Sequence, residues 1–163
     1  MAVKPIIRSY VALLIFMGAA FGIAFVGGIV TQTGLLDWYP TLNKSALNPP
    51  NAVFPLVWTL LFTLMGFAAW LAWKQMDEKR DLVRPALAIY FIQLIFNLSW
   101  SVAFFGFRSP LAGLIVIIPF VILVVELARR YHPISAAAYW MTIPYVSWVI
   151  FASYLNGVIW WLN

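Results

Sequence analysis

Residues 109–125 read SPLAGLIVIIPFVILVV, an unbroken apolar stretch without a single charged side chain. A helix that crosses the hydrocarbon core of a bilayer needs about 20 apolar residues, with a range of about 17–25. The spans of a membrane β-barrel are shorter, about ten residues, and they alternate apolar with polar side chains. The stretch therefore predicts a transmembrane helix.

Four more stretches of this kind lie along the chain, at residues 9–36, 45–73, 85–107 and 131–163, all without Asp, Glu, Lys or Arg. We predict helices over residues 9–30, 53–73, 85–105, 110–128 and 134–160, with a long first loop over residues 31–52. The predicted fold class is an all-α integral membrane protein, a single five-transmembrane-helix bundle over residues 1–163.

The composition agrees with a lipid environment, since 64% of the residues are hydrophobic and only 9% are charged. A soluble domain carries about 25% charged residues. The chain has no Cys, one His and five acidic residues. A disulfide framework and a cysteine nucleophile are therefore excluded, and we predict no metal site.

The net charge of +5 is distributed unevenly between the two sides of the predicted bundle. Eight basic residues fall on the side of the N-terminus, namely Lys4, Arg8, Lys74, Lys79, Arg80, Arg84, Arg129 and Arg130. Only Lys44 and Arg108 fall on the other side. The positive-inside rule then places the N-terminus inside. The excess charge thus indicates topology, and we expect no nucleic-acid partner.

The first apolar run follows Lys4 and Arg8, as in a signal peptide. It is too long for one and lacks a clear cleavage site, so we predict a retained helix. Its Gly18 and Gly22 form a GxxxG pattern, which is one candidate for a helix contact face.

Three amide side chains lie within the predicted spans, where a polar group needs a partner. They are Gln93 and Asn97 in the third helix and Asn156 in the fifth. Each should face the interior of the bundle, either to join helices by hydrogen bonds or to contact a ligand.

Aromatic residues form rows at helical spacing on three predicted helices. The rows are Phe54, Trp58 and Phe62; Gln93, Asn97, Trp100 and Phe104; and Tyr145, Trp148, Ala152, Leu155 and Asn156. Four of these residues, Trp58, Asn97, Trp100 and Asn156, fall in the outer half of the bundle, below the long first loop, and Trp148 falls near the middle. Loops of this length in compact domains are often lids. An aromatic cavity with a few amides and a lid suits a large, flat, apolar ligand.

The chain resembles the translocator protein / tryptophan-rich sensory protein family, also called peripheral benzodiazepine receptors. The resemblance covers nearly the whole chain. The residues that carry it include Trp38-Tyr39, Asn48-Pro49-Pro50, Val57-Trp58-Thr59, Gln93, Asn97, Trp100, Pro144-Tyr145, Trp148, Ala152 and Leu155-Asn156.

This resemblance implies a homodimer in the bilayer, in a bacterial cell membrane. It implies a pocket under the first loop for porphyrins such as protoporphyrin IX, and for isoquinoline or benzodiazepine-type ligands, with no required cofactor. By motif match the pocket residues are Trp58, Asn97, Trp148 and Ala152, followed by Tyr39, Pro49, Phe62 and Trp100. The aromatic rows add Phe54, Leu155 and Asn156. For porphyrin propionates we expect contacts from Lys44 or Arg108.

Two departures from the family pattern stand out. Lys44-Ser45-Ala46-Leu47 replaces the usual Lys-Pro-x-Trp before the double proline. The C-terminal sterol motif of animal members has no match after Tyr154, which argues against tight sterol binding.

Two other functions are open alternatives to a receptor or sensor. The first is light-dependent porphyrin degradation, in which Trp58 and Trp148 would be the electron donors. The second is transport of tetrapyrroles, lipids or sterols, although intramembrane carboxylates and an even number of spans are lacking.

Overall fold

The computed structural model describes residues 3–163, and it describes their side chains from Ile6 onward. The side chain of Lys4, which enters the charge count above, therefore lies outside the described residues. The elements are α1 (Val3–Leu35), a 3₁₀ turn (Tyr39–Thr41), α2 (Val53–Trp73), α3 (Arg80–Ser101) continued by a π-helix (Val102–Gly106), α4 (Pro110–Tyr131) and α5 (Ala136–Leu162).

All five α-helices are long and apolar enough to cross a membrane. The fold is thus an all-helical transmembrane bundle, and the protein is an integral, multi-pass membrane protein. Serine side chains start the last two helices. The Ser109 hydroxyl accepts from the Ala112 N–H at 3.2 Å, and that of Ser135 accepts from Ala138 at 3.3 Å. Such caps satisfy N–H groups that the first helical turn leaves unpaired.

Helix α1 continues five residues beyond the predicted end at residue 30, so the first loop covers residues 36–52 instead of 31–52. Tertiary contacts hold this extra turn. A Cβ on Gly34 would lie 2.8 Å from the Phe105 carbonyl oxygen, and Arg108 donates to the Thr33 carbonyl at 3.0 Å. The residues around position 31 do not by themselves indicate that these contacts extend the helix.

Helix α3 also begins five residues before the predicted start at residue 85, and Pro85 lies inside it. The charged side chains of its first turns include Arg80, Asp81 and Arg84. The prediction used uncharged stretches, which mark only the part of a helix that lies in lipid. It could therefore not detect a charged extension of the helix into water.

The helices are arranged in a ring in the order α1, α2, α5, α4, α3. Large side chains fill the centre of this ring, with Tyr90, Tyr145 and Phe120 at most 1% exposed. The Tyr90 hydroxyl donates to the Phe16 carbonyl at 2.7 Å and so joins α3 to α1. The Phe120 and Tyr145 rings meet edge to face, with centroids 6.1 Å apart.

The GxxxG pattern of α1 does not contact another helix of the chain. Both glycines are exposed, and a Cβ on Gly18 or Gly22 would meet nothing within 4 Å. Helix α1 instead packs through Ala12, Phe16 and Ala20, which are buried.

Candidate ligand-binding site

A cavity of about 340 Å³ lies in the half of the bundle nearest the first loop. We call this end the loop side and the opposite end, with most of the basic residues, the basic side. Helices α1, α2, α3 and α5 and the π-helix form the walls, and Tyr39 from the first loop forms the roof. Cavities of about 300–1,000 Å³ are typical of small-molecule sites.

Nine of the eleven predicted site residues line this cavity. They are Tyr39, Phe54, Trp58, Phe62, Asn97, Trp100, Ala152, Leu155 and Asn156. Because these residues come from three helices and the loop, the helical rows of the sequence do converge on one space.

Trp148 and Pro49 were predicted at the site but do not line the cavity. The Trp148 ring lies behind Phe54, edge to face, with centroids 5.9 Å apart. Its indole nitrogen is buried without a hydrogen-bond partner. Phe54 therefore separates Trp148 from the cavity. On the loop, Asn51 lines the cavity where Pro49 was expected.

The Trp58 side chain forms much of the α2 wall. Its ring lies 5.6 Å from that of Phe62 and 6.4 Å from that of Tyr145, centroid to centroid. Opposite, on α3, Trp100 stacks on Phe104 with centroids 5.5 Å apart and an interplanar angle of 23°. Both walls thus line the cavity with aromatic side chains.

The π-helix explains why two consecutive phenylalanines both face inward. Its hydrogen bond from the Phe107 N–H to the Val102 carbonyl, 2.9 Å long, spans five residues instead of four. Phe104 and Phe105 are 2% and 8% exposed, and both line the cavity. Short π segments are rare and occur often at functional sites. Helical spacing predicted Phe104 in a row but not Phe105.

Helical spacing did not predict the α1 wall of the cavity. Its cavity residues are Phe21, Ile23, Ala24, Gly27, Gly28, Thr31, Gln32 and Leu35. They form no aromatic row, and α1 is apolar on most sides, so spacing alone did not distinguish a cavity face from a lipid face.

The three amides that the sequence placed within the spans have different roles. Gln93 accepts from the Tyr145 hydroxyl at 2.6 Å and donates to the Tyr90 carbonyl at 3.0 Å, so it is engaged within the core. Asn156 accepts from the Trp100 indole N–H at 3.0 Å and donates to the Pro110 carbonyl at 2.7 Å. Both amides are therefore structural.

Among the buried amides of the cavity, Asn97 is the one with capacity left for a ligand. Its Nδ2 donates to the Tyr145 hydroxyl over a long 3.4 Å, and within the described chain its Oδ1 accepts no hydrogen bond. Since Asn97 also lines the cavity and is only 6% exposed, an unpaired oxygen there is suited to accept a donor from a bound molecule.

The first loop is fastened over the cavity by several polar contacts. The Tyr39 hydroxyl donates to Asn48 Oδ1 at 2.9 Å, and burial raises the pKa of Tyr39 although this hydrogen bond opposes the shift. The backbone N–H of Asn43 donates to Asn163 Oδ1, and Asn163 Nδ2 donates to the Asn43 carbonyl, both at 3.0 Å. The loop is thus tied to the end of α5.

Neither Lys44 nor Arg108 points a free cation into the cavity, in contrast to our expectation for propionate binding. The Lys44 Nζ donates to the carbonyls of Tyr39 and Leu42, both at 2.8 Å, and lies 4.9 Å from the centroid of the Tyr39 ring. These contacts use its charge to stabilise the loop.

Arg108 lies in a separate crevice beside Trp38 and Trp160, where it pairs with Asp37 at 2.7 Å. Desolvation would raise the pKa of Asp37, but hydrogen bonds from the Trp38 N–H and the Arg108 guanidinium hold this pKa below its usual value. The guanidinium is thus occupied, and the cavity is lined by uncharged residues.

Comparison with known proteins matches the architecture to a family. The model of the TspO/MBR family matches residues 13–162. "Tryptophan-rich protein TspO" of Chlorobaculum tepidum is 37% identical over 96% of this chain and 98% of its own. "Tryptophan-rich sensory protein" of Cereibacter sphaeroides is 33% identical over 88% of this chain and 85% of its own. "Translocator protein" of Bos taurus is 29% identical over 83% of this chain and 80% of its own.

The family match spans all five helices and includes the residues of the cavity from Phe21 to Ile159. A five-helix membrane bundle with an aromatic cavity under its first loop, matched in this way over nearly its whole length, belongs to the TspO/MBR family.

Proposed function

We propose that this protein is a membrane receptor or sensor that binds a flat, largely apolar molecule in the loop-side cavity. The ligand classes are porphyrins of the protoporphyrin IX type and isoquinoline or benzodiazepine-like compounds. The observation that carries the proposal is the pair of aromatic walls, Trp58 with Phe62 and Trp100 with Phe104, on either side of one cavity. Aromatic rings favour stacked or edge-to-face contacts with other rings.

In this proposal Asn97 orients the ligand, because it is the buried cavity amide whose oxygen accepts no hydrogen bond within the described chain. A ligand N–H or O–H directed at that oxygen would satisfy a buried acceptor, a contact worth about 0.5–1.5 kcal/mol. Charged substituents such as propionates would find no cation on the walls of the cavity. The site thus selects for an apolar, planar body.

The test is a titration of protoporphyrin IX into the detergent-solubilised protein in the dark, followed by tryptophan fluorescence. We expect saturable quenching and a three- to tenfold weaker affinity for Trp58→Phe, since a stacked aromatic pair contributes about 0.5–1.5 kcal/mol. Trp140→Phe is the matched control because Trp140 is 66% exposed and does not line the cavity. Equal affinities for the two variants, or no saturation, would overturn the proposal.

Illumination of the same samples tests porphyrin degradation as a second candidate. Trp58 lies on the cavity wall, 6.4 Å from Tyr145, so an oxidised Trp58 would have a second oxidisable ring beside it. A new absorbance band formed only in light, and lost in Trp58→Phe, would favour an enzyme. Identical absorbance spectra in the dark and in light would exclude degradation and favour a receptor.

We also propose a bacterial cell-membrane location with the N-terminus inside, supported by the basic residues of the basic side. Because the chain has no cysteine, single cysteines at Glu78 and Ala46, one on each side, can be labelled with a membrane-impermeant maleimide in intact cells. Labelling at residue 46 alone is expected; labelling at residue 78 alone would invert the topology.

A homodimer is the proposed assembly, on the strength of the family resemblance. The exposed α1 face with Leu14, Gly18 and Phe25 is an apolar surface that such contact would cover. Sedimentation equilibrium in detergent gives the protomer number, and a monomer at all concentrations would contradict the proposal.

A further inference from the structure

Helices α1 and α2 pack closely only in the half of the bundle towards the basic side. There the Trp70 indole N–H donates to the Ser9 carbonyl at 3.0 Å. About one turn further along α2, a Cβ on Gly66 would lie 3.3 Å from Met17 Cα, which leaves no space between the two backbones. These contacts close the seam between the helices below the cavity.

The same two helices separate in the half towards the loop side. A Cβ on Gly28 would meet no atom within 4 Å, and the atoms nearest to a Cβ on Gly27 belong to Ser101 and Leu98 of α3. Both glycines line the cavity, as do Pro55 and Thr59 of α2, which are exposed. The cavity is therefore open sideways between α1 and α2, on the surface that faces lipid.

The roof of the cavity, in contrast, is closed. Tyr39 is 5% exposed and is held from both ends, by Asn48 at its hydroxyl and by Lys44 at its carbonyl. The reciprocal hydrogen bonds of Asn43 with Asn163 attach the middle of the loop to α5. A ligand arriving from water on the loop side would have to break this set of contacts, whereas a ligand in the bilayer meets an opening.

We infer that the cavity is filled from the lipid of the loop-side leaflet, through the opening between α1 and α2, and that its ligand is a lipophilic molecule dissolved in the membrane. This inference rests on the proposed function, since it concerns the same cavity. The mouth carries the neutral amides Gln32 and Asn51, both exposed, and lacks a cation. An uncharged lipophilic molecule therefore passes the mouth without leaving an ion unpaired in lipid.

The experiment uses the full chain in phospholipid vesicles with the dimethyl ester of protoporphyrin IX, followed by stopped-flow tryptophan quenching in the dark. Gly28→Trp places a large side chain in the opening, where a Cβ meets no neighbour. Ile29→Trp is the matched control, since Ile29 is adjacent, 55% exposed and absent from the cavity wall.

We expect Gly28→Trp to slow association and dissociation by a similar factor, roughly tenfold, which corresponds to about 1.4 kcal/mol of added barrier. Ile29→Trp should leave both rates unchanged. A Gly28→Trp protein with unchanged rates, or with weaker equilibrium binding and an unchanged association rate, would overturn the inference, because the position would then not control passage.

Two further measurements keep the inference open to failure even if Gly28→Trp does not fold. Asn43→Ala combined with Asn163→Ala loosens the roof. Lateral filling predicts an unchanged association rate for this variant, and a faster rate would show that the ligand enters through the roof.

In the unmodified protein, the association rate should follow the mole fraction of ligand in the bilayer as the lipid concentration is varied. If the unmodified protein shows no saturable quenching, the proposed function itself fails. If it binds normally but its association and dissociation rates do not depend on the opening, only the present inference fails.

Discussion

The indole N–H of Trp100 donates to Asn156 Oδ1 at 3.0 Å, and the amide nitrogen of Asn156 donates onward to the Pro110 carbonyl at 2.7 Å. One buried amide thereby connects α3, α5 and the first turn of α4. The contact fixes the plane of the Trp100 ring, which stacks on Phe104 in the cavity wall. Asn156 therefore positions the Trp100 ring in the cavity wall.

Replacing Asn156 with Leu is expected to destabilise the protein by about 1–3 kcal/mol, because the Trp100 N–H and the Pro110 carbonyl lose their partner. The measurement is the free energy of unfolding, or the shift of the thermal midpoint, in detergent. Ser153→Ala on the same helix is the control, since its hydroxyl bonds only to the Val149 carbonyl of its own helix. Equal midpoints for the two variants would contradict the bracing role of Asn156.

Gly113→Ala should both destabilise the bundle and weaken ligand binding. The new Cβ would lie 2.7 Å from Asn156 Oδ1 and 2.8 Å from Phe104 Cδ2, and these groups are held in place by their own contacts. Gly157→Ala is the matched control because the nearest atom, Leu114 Cδ1, is 4.0 Å away. We expect Gly157→Ala to be neutral or to stabilise by about 0.5–1 kcal/mol.

Both variants are compared by thermal midpoint and by protoporphyrin IX titration in the dark. A Gly113→Ala protein that binds and melts like Gly157→Ala would show that α4 can shift away from Phe104 at no cost.

Lys44→Met separates loop stabilisation from propionate binding. Because the Lys44 ammonium is bonded to loop carbonyls, its loss should weaken the binding of protoporphyrin IX and of its dimethyl ester by the same factor. The two affinities are measured side by side in the dark. A loss confined to the free acid would indicate that Lys44 turns from the loop to bind a propionate.

Trp148→Phe is expected to affect ligand affinity less than Trp58→Phe does. Phe54 stands between Trp148 and the cavity, and the Trp148 N–H is buried without a partner. Removing that N–H relieves an unpaired buried donor, which offsets the packing lost with the smaller ring, so we expect little change in stability. Titration and the thermal midpoint give both numbers. If the two tryptophan variants lose affinity equally, Phe54 must move aside when the ligand binds.

Much of the site could be predicted from the sequence because polar and aromatic residues are exceptional within apolar spans. Trp58, Asn97, Trp100 and Asn156 fall at helical spacing, and amides in lipid must face the interior. The same reasoning placed Trp148 on the right helix face but not behind Phe54. Whether a residue lines the cavity or lies behind another side chain depends on how two helices pack. The spacing of residues within one helix carries no information on that packing.

The sequence by itself determined that this protein lies in a lipid bilayer and how many helices it has. Uncharged stretches long enough to cross a bilayer, separated by charged islands, leave no other way to satisfy the backbone in lipid. Only the tertiary structure decided the α1 wall, the engagement of Lys44 within the loop and the choice of Asn97 as the buried cavity amide with an oxygen left free. An apolar helix face suits lipid, a neighbouring helix or a cavity equally well. A polar group is free or engaged only relative to its partners. Where these are distant in the chain, such as Asn163 from Asn43 or Trp100 from Asn156, only folding brings them together.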